Sequence, residues 1–209
     1  MKVLLVNGSP HEKGTTYAAL RTVADAIEAE GAEAEIYHIG AEPIRGCVGC
    51  GQCKRDKNNR CKFDGDAVNA ILEKSETADG FIFGTPTYYA SANGALVSVM
   101  DRIAYAGNAF SGKPAGSVAV ARRGGTTGAL DVINKYFPIN NMPMVATHYW
   151  PIAYGATFDD IREDIEGLQT MTLLGKNIVW MIRCFEAGKA AGIELPTLGE
   201  KRAWTNFVR

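Results

Sequence analysis

Four of the five cysteines, Cys47, Cys50, Cys53 and Cys61, crowd into one short stretch. The spacing is Cys-x2-Cys-x2-Cys, then seven residues, then Cys. Thiolates are the ligands and nucleophiles of cysteine chemistry, and a tight group of them points to metal or redox work, not to a disulfide framework. Three close thiolates can wrap one face of a 4Fe–4S cube while a fourth closes it from the loop. Four thiolates also satisfy a tetrahedral structural zinc site, and the same residues can remain free thiols. The spacing leaves all three open. Gly46, Gly49 and Gly51 loosen the backbone between them. Cys184 lies among Trp180, Met181, Ile182 and Phe185 and is expected in the core. His11, His38 and His148 form no pair at metal-ligand spacing.

Three further segments carry groups that recognise a ligand. Residues 7–16 (Asn-Gly-Ser-Pro-His-Glu-Lys-Gly-Thr-Thr) join an apolar run to a helical pattern. Such a junction offers unpaired N–H groups and the positive end of a helix dipole, which suit a phosphate. Ser9, Thr15 and Thr16 add hydroxyls, Gly14 adds freedom, and His11 can add a donor. The bland alternative is a helix cap. The segment has neither the Gly-Lys-Ser/Thr ending of a P-loop nor a Gly-x-Gly-x-x-Gly dinucleotide fingerprint. Residues 84–94 hold Pro86, Thr87, Tyr88, Tyr89, Ala90 and Ser91, a proline turn with adjacent aromatics that suits a flat ligand. Arg122, Arg123, Gly124 and Gly125 open the third, where glycines allow close backbone approach and arginines offer charge.

These segments must be held by a scaffold, and strands alternate with helices along the chain. Residues 2–6 are a continuous apolar run, as in a strand buried on both faces. A helix over 16–30 places Leu20, Val23, Ala24 and Ile27 on one stripe and stops at Gly31. Strands are expected at 33–39, 80–84, 115–121 and 143–149, with the turn 85–89 ending the third. Helices are expected from Asp66, along the stripe of Leu96, Val99, Met100 and Ile103, and near 127–136. Residues 40–64 show neither period, and a long loop in a compact domain is usually functional. From Asp159 to Gly192 the pattern is helical, but Gly167, Gly175 and Gly188 argue for breaks. The alternation implies a doubly wound parallel α/β sheet of five strands with helices on both faces. Ligands of such sheets bind outside the carboxyl ends of the strands, where all three segments fall. One domain is expected over 1–192, with a tail at 193–209.

Gly-Ser-Pro, a short turn and Gly-x-Thr after the first strand resemble the phosphate loop of the NADPH-dependent FMN reductase family of flavodoxin-like proteins. That family commonly has Arg after the proline and Asn after the glycine, where this chain has His11 and Thr15. The resemblance continues through 84–94 and on to Met100-Asp101-Arg102, and covers residues 1–150. It implies a flavodoxin-like fold, with FMN phosphate on the first loop and the isoalloxazine ring wrapped by the second. Arg122 or Arg123 would then meet the reduced flavin or the phosphate of a nicotinamide cofactor. FMN is expected over FAD, since the first loop serves one terminal phosphate. The cysteine spacing is similar to the compact cluster motif of the iron–sulfur flavoproteins.

The resemblance implies an NAD(P)H-dependent oxidoreductase that reduces a quinone, a nitro or azo compound, or free flavin. The alternatives are an electron carrier between protein redox partners, and a flavin-binding module without catalysis. A homodimer or homotetramer is also implied. No Ser/His/Asp or paired-carboxylate arrangement is evident, which suits chemistry carried by a cofactor. The 209 residues carry 22 Lys plus Arg against 23 Asp plus Glu, so no charge excess points to nucleic acid. The first apolar run is too short for a signal-peptide core and no stretch is long enough to span a bilayer, so a cytoplasmic location is the default expectation.

Overall fold

The computed structural model describes residues 1–200, 203 and 205. Five parallel strands lie in the order β2-β1-β3-β5-β6, where β1 is Lys2–Asn7, β2 Glu33–His38, β3 Gly80–Tyr88, β5 Ala115–Ala121 and β6 Ile152–Tyr154. A short β4, Ser91–Ala92, folds back antiparallel on the end of β3. This is the flavodoxin order, which starts at the centre and reverses direction between β1 and β3.

The side-chain period of two explains why the first strand reads as unbroken apolar. Leu4 and Val6 face one layer with Phe81, Phe83, Ile71 and Leu96, while Val3 and Leu5 face the other with Leu20, Val23, Leu174 and Ile178. Helices α3 (Ala67–Ser75), α4 (Gly94–Ala106) and α5 (Thr126–Asn134) cover the first face. Helices α1 (Thr15–Ala29) and α7 (Ile165–Ala190) cover the second. Two short helices, α2 (Gln52–Asp56) and α6 (Tyr136–Ile139), lie between these layers' elements in the chain, and a 3-10 turn, Asp160–Glu163, precedes α7. Among the described residues no helix is long and apolar enough to cross a membrane.

Four expectations are corrected. The third strand does not end at residue 84: it runs to Tyr88, with Thr85 and Pro86 in register with Ala119 and Val120. Proline is tolerated because it sits in the last pair of that ladder. The fifth strand is Ile152–Tyr154, not 143–149. The chain touches β5 at Met144, opposite Ala115, and rejoins it at Ile152, opposite Ala119. Eight residues on one side span four on the other, so the intervening segment, with Tyr149 and Trp150, swings out to solvent. Helix α7 is unbroken through its glycines. Gly175 is there for contact: a Cβ on it would lie 2.5 Å from the Val23 carbonyl and 2.8 Å from the Ala26 Cβ, so glycine lets α1 and α7 approach closely. Lastly, Cys184 is exposed, on the outer side of α7, not in the core.

The tail residues 193–200 form no helix or strand, and the rest of 193–209, apart from 203 and 205, lies outside the described residues.

Candidate functional site

The carboxyl ends of β1, β3 and β5 bring the three ligand segments to one edge. The first loop is organised from within. Asn7 accepts from the Ser9 N–H at 3.1 Å and donates to the Glu12 carbonyl at 3.1 Å, bracketing the turn. His38, in register with Asn7 at the end of β2, sits 2.7 Å from the Ser9 carbonyl through Nε2. Gly8 donates to the Gly84 carbonyl at 2.8 Å, which pins the first loop to the second. Ser9 is buried, and its Oγ accepts from the His11 N–H at 3.1 Å, so its own hydrogen remains to donate. His11 is exposed, Gly14 and Thr15 are half-buried and Thr16 is buried.

What the loop leaves unpaired is informative. Helix α1 starts at Gly14 with no side-chain cap, and α5 starts at Gly125 with none either. Among the other helices of two turns or more, α3, α4 and α7 are capped by Asp66, Asn93 and Asp164; the one-turn α2 and α6 also lack a side-chain cap. First-turn N–H groups without a cap need a partner, and an anion supplies it. Three buried side-chain atoms among the described residues lack a hydrogen-bond partner: Thr16 Oγ1, Thr87 Oγ1 and Arg21 Nη2. Arg21 Nη2 has its ion pair with Glu28 at 2.8 Å. The two orphaned hydroxyls belong to the first and second ligand segments. A bound FMN, with a phosphate at α1 and a ring at the 86–91 turn, fits this donor set.

The second segment is a hairpin whose tip is Tyr89–Ala90, between the pairs Thr87↔Ala92 and Tyr88↔Ser91. Both tip residues are left-handed, with φ of 49° and 57°. That is the two-residue turn normally built from Asn-Gly, and each non-glycine residue there costs about 1–2 kcal/mol. Such strain tends to mark functional turns. Tyr88 is 45% exposed and Tyr89 105% exposed, while Pro86 and Ser91 are half-buried. Thr85 Oγ1 receives the Asn93 N–H at 2.9 Å, which ties the hairpin to the start of α4. The third segment packs beneath the tip: a Cβ on Gly125 would lie 2.7 Å from the Ala90 Cα, and one on Gly128 would lie 2.4 Å from the Ala90 carbonyl. Arg122, Arg123 and Gly124 are exposed at the rim, with open space at Gly124. Thr126, buried, meets the Tyr154 hydroxyl at 3.2 Å.

The cysteines gather at a second place on the same side of the sheet. Cys47, Cys50, Cys53 and Cys61 line one small cavity with Phe63, Arg102 and Tyr105. Cys47 and Cys50 are exposed, Cys53 and Cys61 half-buried. Burial pushes the Cys53 thiol up, against the pull of the Lys54 charge. Among the described residues no three His, Cys, Asp or Glu side chains converge on one ion. A zinc ion at about 2.3 Å from each sulfur would need that convergence. By donor type, four thiolates lining one cavity match the ligand set of a 4Fe–4S cluster. Arg102 forms the floor. It is 1% exposed, and its guanidinium donates to Cys61 Sγ at 3.4 Å, the Arg45 carbonyl at 3.2 Å, the Phe63 carbonyl at 2.7 Å and the Asp66 carboxylate. Burial opposes its charge, but the bonds to Asp66 and Cys61 outweigh that and hold it protonated. Lys62 lines the cavity, and the exposed residues of the same segment, 45–64, carry Arg45, Lys54, Arg55, Lys57 and Arg60 against Asp56 and Asp64, giving the cavity mouth a basic rim on a chain of net charge -1.

Helix α4 links the two places. Its start at Gly94 follows the hairpin, and Arg102 lies eight residues on, about 12 Å along the axis. Sequence reasoning missed Asn7 and His38 as organisers of the first loop, and Arg102 as more than a family-like residue. The signal for Arg102 was its position three residues after Val99 and one before Ile103, on the apolar stripe.

The model for NADPH-dependent FMN reductases matches residues 1–157. An iron–sulfur flavoprotein of Methanocaldococcus jannaschii is 32% identical over 192 residues, covering 88% of this chain and 98% of that protein. An NADPH azoreductase of a Bacillus species is 28% identical over 135 residues, covering 65% of this chain and 66% of that one. Among solved structures, a flavodoxin from the domain Archaea aligns with a TM-score of 0.59 at 14% identity, covering 88% of this chain and 99% of that chain. RosB, solved with a bound 8-demethyl-8-formylriboflavin-5'-phosphate, aligns with a TM-score of 0.68 at 14% identity, covering 100% of this chain and 93% of that chain. These two show the flavodoxin-like fold. The chain thus belongs to the NADPH-dependent FMN reductase family, as a flavodoxin-like FMN oxidoreductase related to the iron–sulfur flavoproteins.

Proposed function

We propose that this chain takes reducing equivalents from NAD(P)H onto FMN at the carboxyl edge of β1, β3 and β5, and passes them to a quinone, a nitro or azo compound, or free flavin. The observation that carries the site is the pair of buried, unpartnered hydroxyls of Thr16 and Thr87 beside two uncapped helix starts. Bound FMN supplies two-electron acceptance at its ring and one- or two-electron release. The protein's own part is positional. The N–H groups at the start of α1, with Ser9 and Thr16, hold the phosphate; His11 and Thr15 lie at its edge. The 86–91 hairpin, with Pro86, Thr87, Tyr88, Tyr89, Ala90 and Ser91, holds the ring. Gly124 and Gly125 leave room for a planar partner, and Arg122 or Arg123 offers charge to a nicotinamide phosphate. The test is anaerobic reconstitution with FMN, then NADPH or NADH, then a quinone. Pyridine-nucleotide oxidation that depends on both FMN and quinone is expected; no turnover with any of the acceptor classes would refute the enzyme reading.

A second reading rests on the cysteine cavity and its basic rim. Here Cys47, Cys50, Cys53 and Cys61 hold a 4Fe–4S cluster, and electrons leave singly to a redox protein with an acidic face. Iron and sulfide in anaerobically purified protein test it; iron near zero would remove it. We also propose a homodimer or homotetramer, in which a subunit contact would cover exposed apolar groups such as Ile139, Met144, Tyr149, Trp150 and Trp180. A monomer in light scattering would contradict that.

A further inference from the structure

We propose that Arg102 is a positioning residue for the four-thiolate centre, setting the geometry of Cys61 and raising the reduction potential of the cluster held there. The inference rests on the cluster reading above.

Arg102 is the largest fully buried side chain among the described residues. Its fork gathers three separated parts of the chain: Arg45 before the first cysteine, Cys61 with Phe63, and Asp66 at the cap of α3. Asp66 balances the charge and also accepts from Val68 N–H at 3.1 Å, so α3, α4 and the cysteine loop meet at one ion pair. A purely structural role would be served as well by apolar packing, since buried ion pairs rarely add net stability over it. What apolar packing cannot do is donate to sulfur. A neutral thiol is a weak acceptor, a poor use of a buried N–H. A thiolate bound to iron is anionic, and a guanidinium N–H to it becomes a charge-assisted bond.

Two consequences follow. The bond orients the Cys61 sulfur toward the cavity before metal arrives, as outer-shell donors do for metal ligands. Reduction of the cluster adds one electron and one negative charge, with no bond to protein made or broken. The Nε–H bond to the Cys61 ligand stabilises that extra charge, because cluster potentials follow hydrogen bonds to sulfur; lysine keeps the cation but has a carbon where arginine has Nε, and methionine lacks both. Reduced flavin is the electron source in the proposed reaction.

The experiment uses the full chain, purified anaerobically, as unmutated protein and as R102K, R102M and R60Q. Arg60 is an exposed charge close to Cys61 in the chain, and it pairs with Asp64 at 2.9 Å. FMN, iron and sulfide content are measured, and the cluster midpoint is read by a redox titration followed by electron paramagnetic resonance. R102K is expected to keep FMN and to hold a cluster whose reduction equilibrium is about tenfold less favourable, which is about 59 mV for one electron. R102M is expected to shift further in the same direction or to lose iron with FMN retained. R60Q is expected to leave the midpoint in place. If R102M does not fold, R102K carries the test. Full iron and an unmoved midpoint in R102K would overturn this inference alone. No iron in the unmutated protein would overturn the cluster reading and this inference with it.

Discussion

Replacing Thr16 with Val separates the demands of folding from those of the ligand. Thr16 is fully buried at the second residue of α1, and its hydroxyl has no partner among the described residues. A buried hydroxyl without a hydrogen bond costs about 1–3 kcal/mol. Valine keeps the shape and removes that cost, so the apoprotein should gain about 1–2 kcal/mol. For a chain of this size each kcal/mol moves the melting temperature by about 2–4 °C. The same hydroxyl, bonded to a charged phosphate, is worth about 1.5–3 kcal/mol, so FMN should bind about 10- to 150-fold more weakly. Thermal unfolding of apoprotein in phosphate-free buffer and titration of FMN by flavin fluorescence give the two numbers. A T16V protein that melts at or below the unmutated temperature, or binds FMN equally well, would refute the reasoning. Either result would mean that the hydroxyl serves the fold.

Further outcomes test other parts of the structure. G128A puts a Cβ 2.4 Å from the Ala90 carbonyl, so the hairpin must lift; FMN affinity is expected to fall at least tenfold by the same titration while the fold survives by circular dichroism. G175A drives α7 off α1 and is expected to cost about 1–3 kcal/mol, read by urea unfolding. The Glu35 carboxyl is held below its usual range by hydrogen bonds from Lys2 and Lys74, against the pull of burial. Its lowered value means that its stability contribution is present above the ordinary carboxylate range and is lost as pH falls through the lowered value. E35Q should therefore cost about 0.5–1 kcal/mol near neutrality and nothing once both states are protonated. With the basic rim as the docking face, transfer to an acidic redox protein should slow steeply with salt in stopped-flow measurements, while transfer to a neutral quinone should not.

The elements legible in the sequence were those where local pattern and tertiary role agree. Residues 2–6 and 115–121 read as strands because burial on both faces removes polar residues. The stripe of Leu96, Val99, Met100 and Ile103 read as a helix because α4 packs one side on the sheet. The misreadings came from partners that no local window contains. Pro86 looks like a breaker until Val120 is seen beside it. The segment 143–149 looks like a strand, but it bridges β5 at Met144 alone before leaving the sheet, and the ladder resumes at Ile152–Tyr154. Gly175 looks like a break until α1 lies against it. The ligand loops were legible by their place after strands. The orphaned hydroxyls, the bond from His38 and the floor laid by Arg102 depend on contacts across tens of residues.

The central claim is that FMN bound at this edge shuttles reducing equivalents. The most direct measurement is the visible spectrum of FMN-reconstituted protein under anaerobic NADPH or NADH, followed by addition of a quinone, with a T16V/T87V double variant alongside. The account predicts equimolar FMN on the unmutated protein, bleaching by the nucleotide, recovery of colour on quinone addition, and sharply reduced FMN retention in the double variant. Protein that retains no FMN after reconstitution, or retains it equally well without the two hydroxyls, would contradict the account.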